Sequence, residues 1–483
     1  MGQTCVKLCS QSCVSRFLRG LGVRRPPPQR VENHLIEESS DDSNATGDNI
    51  KSPSKCKYVD YPFLVNREIG EWIVFTKFMI ILRGPPGSGK SRLAGYIKMR
   101  FPTAHICSSD NYHSSSIKYF EDYQFDSDRH ESALHDCEAE AKLYASRGIS
   151  PLVIDNANMR SYECRPYTEI ARAFDYNVIM VIPRTPWRFD VRSLAEYNAH
   201  NLSAEMISSM VSQFEPIVYP LYYGWAFAGS PSSNTHLSIP IEKGDKLLPN
   251  EVTEKMIKEF HDSFFSALDL PYVRKRLALI CGFNQDINRD QLATFWSSAV
   301  NPWFGDVSEP YRTDKPARPH CTAFFAQHGH APGASEYAQK TAVREALLGS
   351  IDELCVEGLF ITKRTVGLRI HLSDPDQLAL WGGLDNEPVD GHVTPQSRPQ
   401  GCRAHVTLAL ASGVPAVETG FDALRIMDAE LRQLPDVYTA DMPDGILREL
   451  PISSSADSES LDNIFYYQYS TAKTIRLMYT AFY

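Results

Sequence analysis

Apolar residues fall into two rhythms along this chain. Unbroken runs of strand length occur at Phe78-Met79-Ile80-Ile81-Leu82 within 75–83, at His105-Ile106-Cys107-Ser108, at Pro151-Leu152-Val153-Ile154 and over 177–183. Runs this short, bounded by polar or glycine-rich sequence and alternating with helical spacing such as Arg92 to Met99, predict buried strands of an α/β sheet. A second helical stretch is expected over 249–298. In the C-terminal half two strings, His320-Cys321-Thr322 and His405-Val406-Thr407, each open an apolar run, Ala323-Phe324-Phe325 and Leu408-Ala409-Leu410. Alternate residues of a strand face the same way, so each histidine and its threonine project together while Cys321 or Val406 turns into the core. A polar loop at 457–462 precedes what reads as a last strand pair ending at Tyr483.

These patterns divide the 483 residues into more than one core. Residues 1–30 form a basic segment, 31–70 an acidic, polar linker, 71–228 a first α/β domain and 229–299 a linker with a helical connector. Residues 300–483 form a second domain carrying both His-x-Thr strings. A net charge of −10 excludes a general nucleic-acid coat and leaves room for a local groove that takes a nucleotide or a short single strand. Eleven cysteines without a CxxC pair exclude a zinc cluster or disulfide framework and fit a reducing, cytoplasmic setting. No apolar stretch is long enough to span a bilayer.

The first thirty residues carry Lys7, Arg16, Arg19, Arg24, Arg25 and Arg30 and no acid, interleaved with apolar residues. Cys5, Cys9 and Cys13 are four apart and share one helical face, beside Gly2, which becomes the N-terminus if Met1 is removed. Acylation at Gly2 or these cysteines, together with the basic residues, predicts a membrane-surface anchor. Position 6 is Val6 where the myristoylation pattern wants Ser or Thr, so the cysteines carry more of this expectation than the glycine.

Gly84-Pro85-Pro86-Gly87-Ser88-Gly89-Lys90-Ser91 follows the first strand and precedes a helix, the context of a phosphate-binding P-loop. Gly84, Gly87, Ser88 and Gly89 let backbone N–H groups close around phosphate oxygens, Lys90 reaches the terminal phosphates, and the Ser91 hydroxyl is placed to ligate Mg²⁺. Bound ATP or GTP with Mg²⁺ is therefore expected. Asp110 and Asp155 stand at the C-terminal ends of two strands, the edge where an open α/β sheet holds ligands. There Asp110 is a candidate acceptor of a hydroxyl proton and Asp155 a candidate Mg²⁺ support. Arg184, Arg188 and Arg192, four apart as on a helix, read either as a phosphate-clamping lid or as a solvated basic face.

The spacing of the His-x-Thr strings alone decides little, since eight of the fourteen histidines have Ser or Thr two residues later. Requiring threonine leaves His320, His405 and His392-Val393-Thr394, and the last runs into Pro395 and a loop. The remaining two strands, side by side, would hold two imidazoles and two hydroxyls around one phosphate.

A P-loop domain followed by paired His-x-Thr strands resembles the 2',3'-cyclic nucleotide 3'-phosphodiesterases of vertebrate myelin and their relatives. The likeness runs from about Thr76 to Tyr483 through the P-loop string, Leu-Tyr-Tyr-Gly-Trp at 221–225, His-Cys-Thr, Ala-Pro-Gly-Ala-Ser-Glu-Tyr-Ala-Gln at 331–339 and Arg-Ala-His-Val-Thr at 403–407. It implies a polynucleotide-kinase-like N-terminal domain. It also implies a C-terminal two-histidine phosphoesterase domain of two pseudo-symmetric α/β lobes, with one His-x-Thr strand each. The implied reaction is hydrolysis of nucleoside 2',3'-cyclic phosphates, free or at RNA 3' ends, to 2'-phosphates without metal or other cofactor. His320, Thr322, His405 and Thr407 would be the catalytic four and Arg403 would orient the phosphate. By resemblance His405 is the base and His320 the acid; the residues themselves leave that order open.

Family members carry a prenylation box beyond the last strand, whereas Thr480-Ala481-Phe482-Tyr483 offers no cysteine, so the membrane address is expected at the N-terminal segment. Two rival readings remain. One is a P-loop nucleotide or RNA 5'-kinase, alone or within a bifunctional RNA end-processing protein, and the other is a non-enzymatic scaffold between membrane and cytoskeleton.

Overall fold

The computed structural model describes residues 58–112, 129–233, 249–280, 288–291, 318–389, 397–411, 413–451 and 463–483. The Gly2/Cys5/Cys9/Cys13 segment and the His392-Val393-Thr394 string lie outside them.

The first sheet has four parallel strands, β1 (Phe78–Leu82), β2 (His105–Cys107), β3 (Leu152–Asp155) and β4 (Asn177–Val181), in the order β2-β3-β1-β4. The all-apolar sequence of β1 follows from its place inside the sheet, with both faces covered. Phe78, Ile80 and Leu82 pack toward Ile73, Leu93 and Ile97, whereas Met79 and Ile81 pack toward Cys137, Ala141 and Tyr167. Alternation with period two thus feeds two helical layers from one strand. Asp155 ends β3 and the P-loop follows β1, so both sit at the carboxyl edge of the sheet, as the sequence predicts.

The second sheet is antiparallel and has eight strands. Its path runs β10 (Tyr438–Met442), β11 (Gly445–Leu450), β12 (Ile464–Phe482), β7 (Ser350–Ile361), β8 (Thr365–His371), β9 (His405–Leu410), and β5 (Tyr222–Ala226) joins β12 to β6 (His320–Phe325). Helices Pro249–Ala267 and Pro271–Ile280, with the turn between them, cover one face through Phe260, Leu268, Val273 and Leu277. A buried carboxylate, Glu449, fastens the second of these: Arg276 reaches it at 2.8 Å, Tyr272 at 2.8 Å and Asn463 at 2.9 Å. Helix Val417–Leu431 packs elsewhere on the sheet through Ala423 and Ile426. Among the described residues no helix is long and apolar enough to cross a membrane.

The coordinates correct several boundaries. Helices Pro62–Val65 and Arg67–Phe75 bury Phe63, Leu64, Ile69 and Ile73, so ordered structure reaches into the segment read as linker up to 70. Strand β5, assigned by sequence to the P-loop domain ending at 228, belongs to the second sheet, because its partners are β12 and β6. The expected last strand pair is one long strand, β12, whose middle is exposed around Ser470 and Thr471 and whose register shifts between Gln468 and Lys473. Polar residues in an exposed strand centre imitate a turn. The two lobes implied by resemblance are joined in one continuous sheet.

Candidate functional site

Strands β6 and β9 lie at opposite ends of the strand path, and each bonds a neighbour other than the other: β6 pairs with β5 and β9 with β8. The curl of the sheet brings them into contact nonetheless. Burial pushes the Cys321 thiol up to about 12, opposed by the backbone N–H of His405, and a proton on His320 disfavours one on His405 through direct charge interaction. The histidines therefore meet in one place without their strands being ladder neighbours, which corrects the side-by-side expectation. Cys321 and Val406 are both 0% exposed, and the flanking His and Thr of each string are half-buried. The predicted alternation, a core-facing middle residue between two more exposed ones, is thereby realised.

The two halves repeat each other locally. Gly224 stands opposite Thr322 and Gly367 opposite Thr407, and the ladder shifts register beside each glycine. A Cβ on Gly224 would lie 2.3 Å from the Cys321 carbonyl oxygen, and one on Gly367 would lie 2.5 Å from Phe360 and 2.7 Å from Thr419. Bulges of this kind re-aim side chains on the bulged strand. Gly420 of helix Val417–Leu431 leaves room in the same way, since a Cβ there would come within 2.9 Å of the His405 ring.

Each ring is oriented by the same device. His320 Nδ1 lies 2.6 Å from the Arg318 carbonyl oxygen and His405 Nδ1 lies 2.7 Å from the Arg403 carbonyl oxygen. A carbonyl only accepts, so Nδ1 carries the proton in both rings and Nε2 is left for chemistry. Burial pulls both imidazoles down to about 4, against the small opposing effect of those backbone bonds. Tyr222 stacks on the His320 ring at 4.6 Å and Phe482 lies 5.1 Å away, forming an aromatic wall.

Arg403, which the resemblance gives as the residue orienting the phosphate, stands two residues before His405. Its guanidinium pairs with Glu387 at 2.9 Å and lies 4.8 Å from the Phe421 ring centre, and its contribution to the His405 ring is the carbonyl. Asp385 holds the segment before β9 by accepting from Gly401 N–H at 2.9 Å and Arg403 N–H at 3.0 Å. The sequence reading missed Arg318, Tyr222, Phe482 and Asp385. A signal for Arg318 was present, because both strings extend to Arg-x-His-x-Thr.

In the P-loop, Gly84, Gly87 and Gly89 all have positive φ, and Gly89 caps the helix Lys90–Arg100. Lys90 is buried and donates to the Pro85 carbonyl at 3.1 Å; burial lowers its pKa, partly offset by Asp155 and Asp110. Burial raises Asp155, and Lys90 and Ser91 counter it. The expected cluster of Lys90, Ser91, Asp110 and Asp155 is thus assembled, with His200 3.9 Å from Asp110. Ser88 Oγ and Asp155 Oδ1 are buried without a partner among the described residues, which is spare polar capacity of the kind a Mg²⁺-nucleotide uses. The arginine face is not realised. Arg184 pairs with Glu345 at 2.6 Å, Arg188 bonds the Thr185 carbonyl, and Arg192 alone lies on helix Val191–Tyr197.

A P-loop domain joined to an antiparallel sheet that brings two His-x-Thr strands together defines the class: a two-histidine phosphoesterase with a polynucleotide-kinase-like domain before it. The family profile described as 2',3'-cyclic nucleotide 3'-phosphodiesterase (CNP or CNPase) matches residues 289–447, and an AAA-domain profile matches residues 79–217. The chain is 30% identical over 378 residues to the 2',3'-cyclic-nucleotide 3'-phosphodiesterase of Pongo abelii, covering 77% of each chain. It is 29% identical over 374 residues to the protein of that name from Rattus norvegicus, covering 76% of each. A shorter match, 34% identical over 140 residues, covers 29% of this chain and 8% of NEDD4-binding protein 2 of Homo sapiens. The chain belongs to the 2',3'-cyclic-nucleotide 3'-phosphodiesterase family.

Proposed function

We propose that this protein hydrolyses nucleoside 2',3'-cyclic phosphates, free or at RNA 3' ends, to 2'-phosphates by a metal-independent two-histidine mechanism. The observation that carries the reading is the pair of rings with Nδ1 bound to a carbonyl and Nε2 left over, close enough to sense each other's charge. Water attacks phosphorus, His405 Nε2 takes its proton, the bond from phosphorus to the 3'-oxygen breaks, and protonated His320 Nε2 gives its proton to that oxygen. The order of the two histidines follows the family likeness. Thr322 and Thr407 donate hydroxyl hydrogen bonds to the non-bridging oxygens, where charge grows in the transition state. The Tyr222 and Phe482 rings offer the base a stacking surface.

With cyclic 2',3'-AMP, His320→Ala and His405→Ala are each expected to lose activity by about a hundredfold to ten-thousandfold while remaining folded. Near wild-type turnover in either variant overturns the assignment. Phosphorus NMR of the product should give the 2'-phosphate, and EDTA should leave the rate intact; a metal requirement refutes the mechanism.

A second reading concerns the P-loop domain. The unpartnered Asp155 Oδ1 beside Ser91 and Lys90 supports binding of ATP or GTP with Mg²⁺ there. Ser91 and Asp155 would hold the metal and Asp110 would serve as acceptor-side base for a 5'-kinase. Transfer of labelled phosphate from ATP to a 5'-hydroxyl RNA end tests it. The protein as a whole is proposed to be cytoplasmic and attached to membrane, and through it to cytoskeleton, by its basic, cysteine-rich N-terminus. Retention of a Cys5/Cys9/Cys13→Ser variant in the membrane fraction would argue against that.

A further inference from the structure

Each histidine of the site gives its Nδ1 proton to the carbonyl of an arginine two residues earlier, so whatever fixes that arginine fixes the ring. Arg403 is fixed from within its own sheet domain, by Glu387 and Asp385. Arg318 is fixed from the other domain. Its guanidinium reaches Asp175 Oδ1 at 2.6 Å, the Asp175 carbonyl at 3.2 Å and Asn177 Oδ1 at 2.5 Å. Asn177 begins β4, and Asp175 sits just before it in a left-handed turn with φ 61°.

The tie is built from both sides. Ser230 holds the far oxygen of Asp175 through its N–H at 2.9 Å and its hydroxyl at 2.5 Å. Gly229 lies in the stretch that follows β5, and a Cβ there would lie 2.5 Å from the Arg318 Nη2, so the glycine makes the space that the guanidinium fills. Burial by itself would raise the Asp175 carboxyl, but Arg318 and Ser230 outweigh it and leave the pKa lowered to about 2. The carboxylate is therefore ionised at any working pH. The Arg318 side chain is 10% exposed and that of Asp175 38%, so solvent screens part of the charge attraction and the hydrogen bonds to Asp175 and Asn177 fix the guanidinium.

We propose that Asp175 of the P-loop domain is a positioning residue for the phosphodiesterase. By anchoring Arg318 it holds the carbonyl that keeps His320 as the Nδ1–H tautomer, with Nε2 turned to the substrate. The hydrolase site is thus completed across the domain boundary on its His320 side and within one domain on its His405 side. The inference rests on His320 being catalytic. A carbonyl that drifts frees the ring to rotate or exchange tautomers, and displacement of about 1 Å at a reacting group costs up to about a hundredfold in rate.

The test uses the full chain with Asp175→Ala, Asp175→Asn, Asp175→Glu and, as an independent way of displacing Arg318, Gly229→Ala. With cyclic 2',3'-AMP, Asp175→Ala should lower kcat by up to about a hundredfold with KM little changed, and Asp175→Glu should restore most of the loss. Nitrogen-15 spectra of the histidine rings should show His320 gaining an Nε2–H tautomer in Asp175→Ala while His405 keeps its signal. Should Asp175→Ala not fold, Asp175→Asn and Gly229→Ala carry the same two readouts. Wild-type kcat in a folded variant overturns the proposal, as does a loss of kcat with an unaltered His320 signal. His320→Ala, run in parallel, separates the two ideas. If it stays active the catalytic reading falls; if it is inactive while the Asp175 variants turn over normally, the positioning role alone falls.

Discussion

At the scale of single residues, the two histidines face opposing demands. Burial disfavours the imidazolium and pulls both to about 4, below the ordinary value of about 6.5, yet the proposed mechanism needs one of them protonated as the acid. On the proposed mechanism a bound phosphodiester would resolve this, because its negative charge would raise the proton affinity of the ring beside it. The free enzyme and the substrate complex therefore titrate differently. The profile of kcat/KM, which reports the free enzyme, should be bell-shaped with its limbs on the acidic side of neutrality, and that of kcat should lie at higher pH. The limbs belong to the pair, since each ring feels the other. Coincident profiles for the two parameters would show that substrate charge does not set the acid. The sign for stability runs the same way as for any depressed group: the contribution of the neutral rings is present above about 6.5 and is lost as pH falls toward 4.

At the scale of elements, strand alternation told which residue of each His-x-Thr string is core and which are site, because a period of two needs only three neighbouring residues to be read. The P-loop was legible for a similar reason: its glycines, Lys90 and Ser91 are contiguous and their φ values are set locally. What the pattern could not supply was partnership. Strand β5 and the two ends of strand β12 are apolar runs, and nothing in such a run names the strand it pairs with. Arg318 and Asp175 are 143 positions apart, and arginines in a polar stretch look alike until one of them is seen in an ion pair; for the same reason Arg184 read as part of a basic face. The glycines opposite each threonine give this scale its own test. A methyl group at Gly224 or Gly367 has backbone or a buried ring within 2.5 Å, so the strand has to shift. Gly224→Ala and Gly367→Ala should each cost about 1–3 kcal/mol in chemical denaturation. Gly224→Ala should also depress turnover by more than the fraction unfolded explains, because the strand it pushes against carries Thr322; Gly367→Ala presses on Phe360 and Thr419 instead, so its extra loss of turnover should be smaller. Wild-type activity in the folded fraction would mean that the bulges do not aim the threonines.

At the scale of the whole molecule, the question is whether the two domains share one reaction or carry two. Their contacts are structural: Arg318 with Asp175, Arg184 with Glu345, and Arg476 with Glu68 at 2.6 Å. The first of these meets the start of β4, while the P-loop leaves the end of β1. Phe78 pairs with Asn177 at one end of that strand pair and Leu82 with Val181 at the other, so four steps of strand, about 13 Å, separate them. A rigid parallel pair transmits little of what a phosphate does at its carboxyl edge to its amino edge. On the proposed reading of the P-loop, Mg²⁺-ATP should raise the melting temperature of the wild-type protein, and Lys90→Ala should abolish that shift and leave hydrolysis of cyclic 2',3'-AMP intact. The variant itself should melt at a lower temperature, because Asp155 then stays buried without the cation that offsets its burial. Loss of hydrolysis in a folded Lys90→Ala protein would establish the opposite, a phosphodiesterase governed by nucleotide at the P-loop. The route would then have to run through β4 and the Arg318 anchor, which Asp175→Glu combined with Lys90→Ala would expose as a non-additive pair.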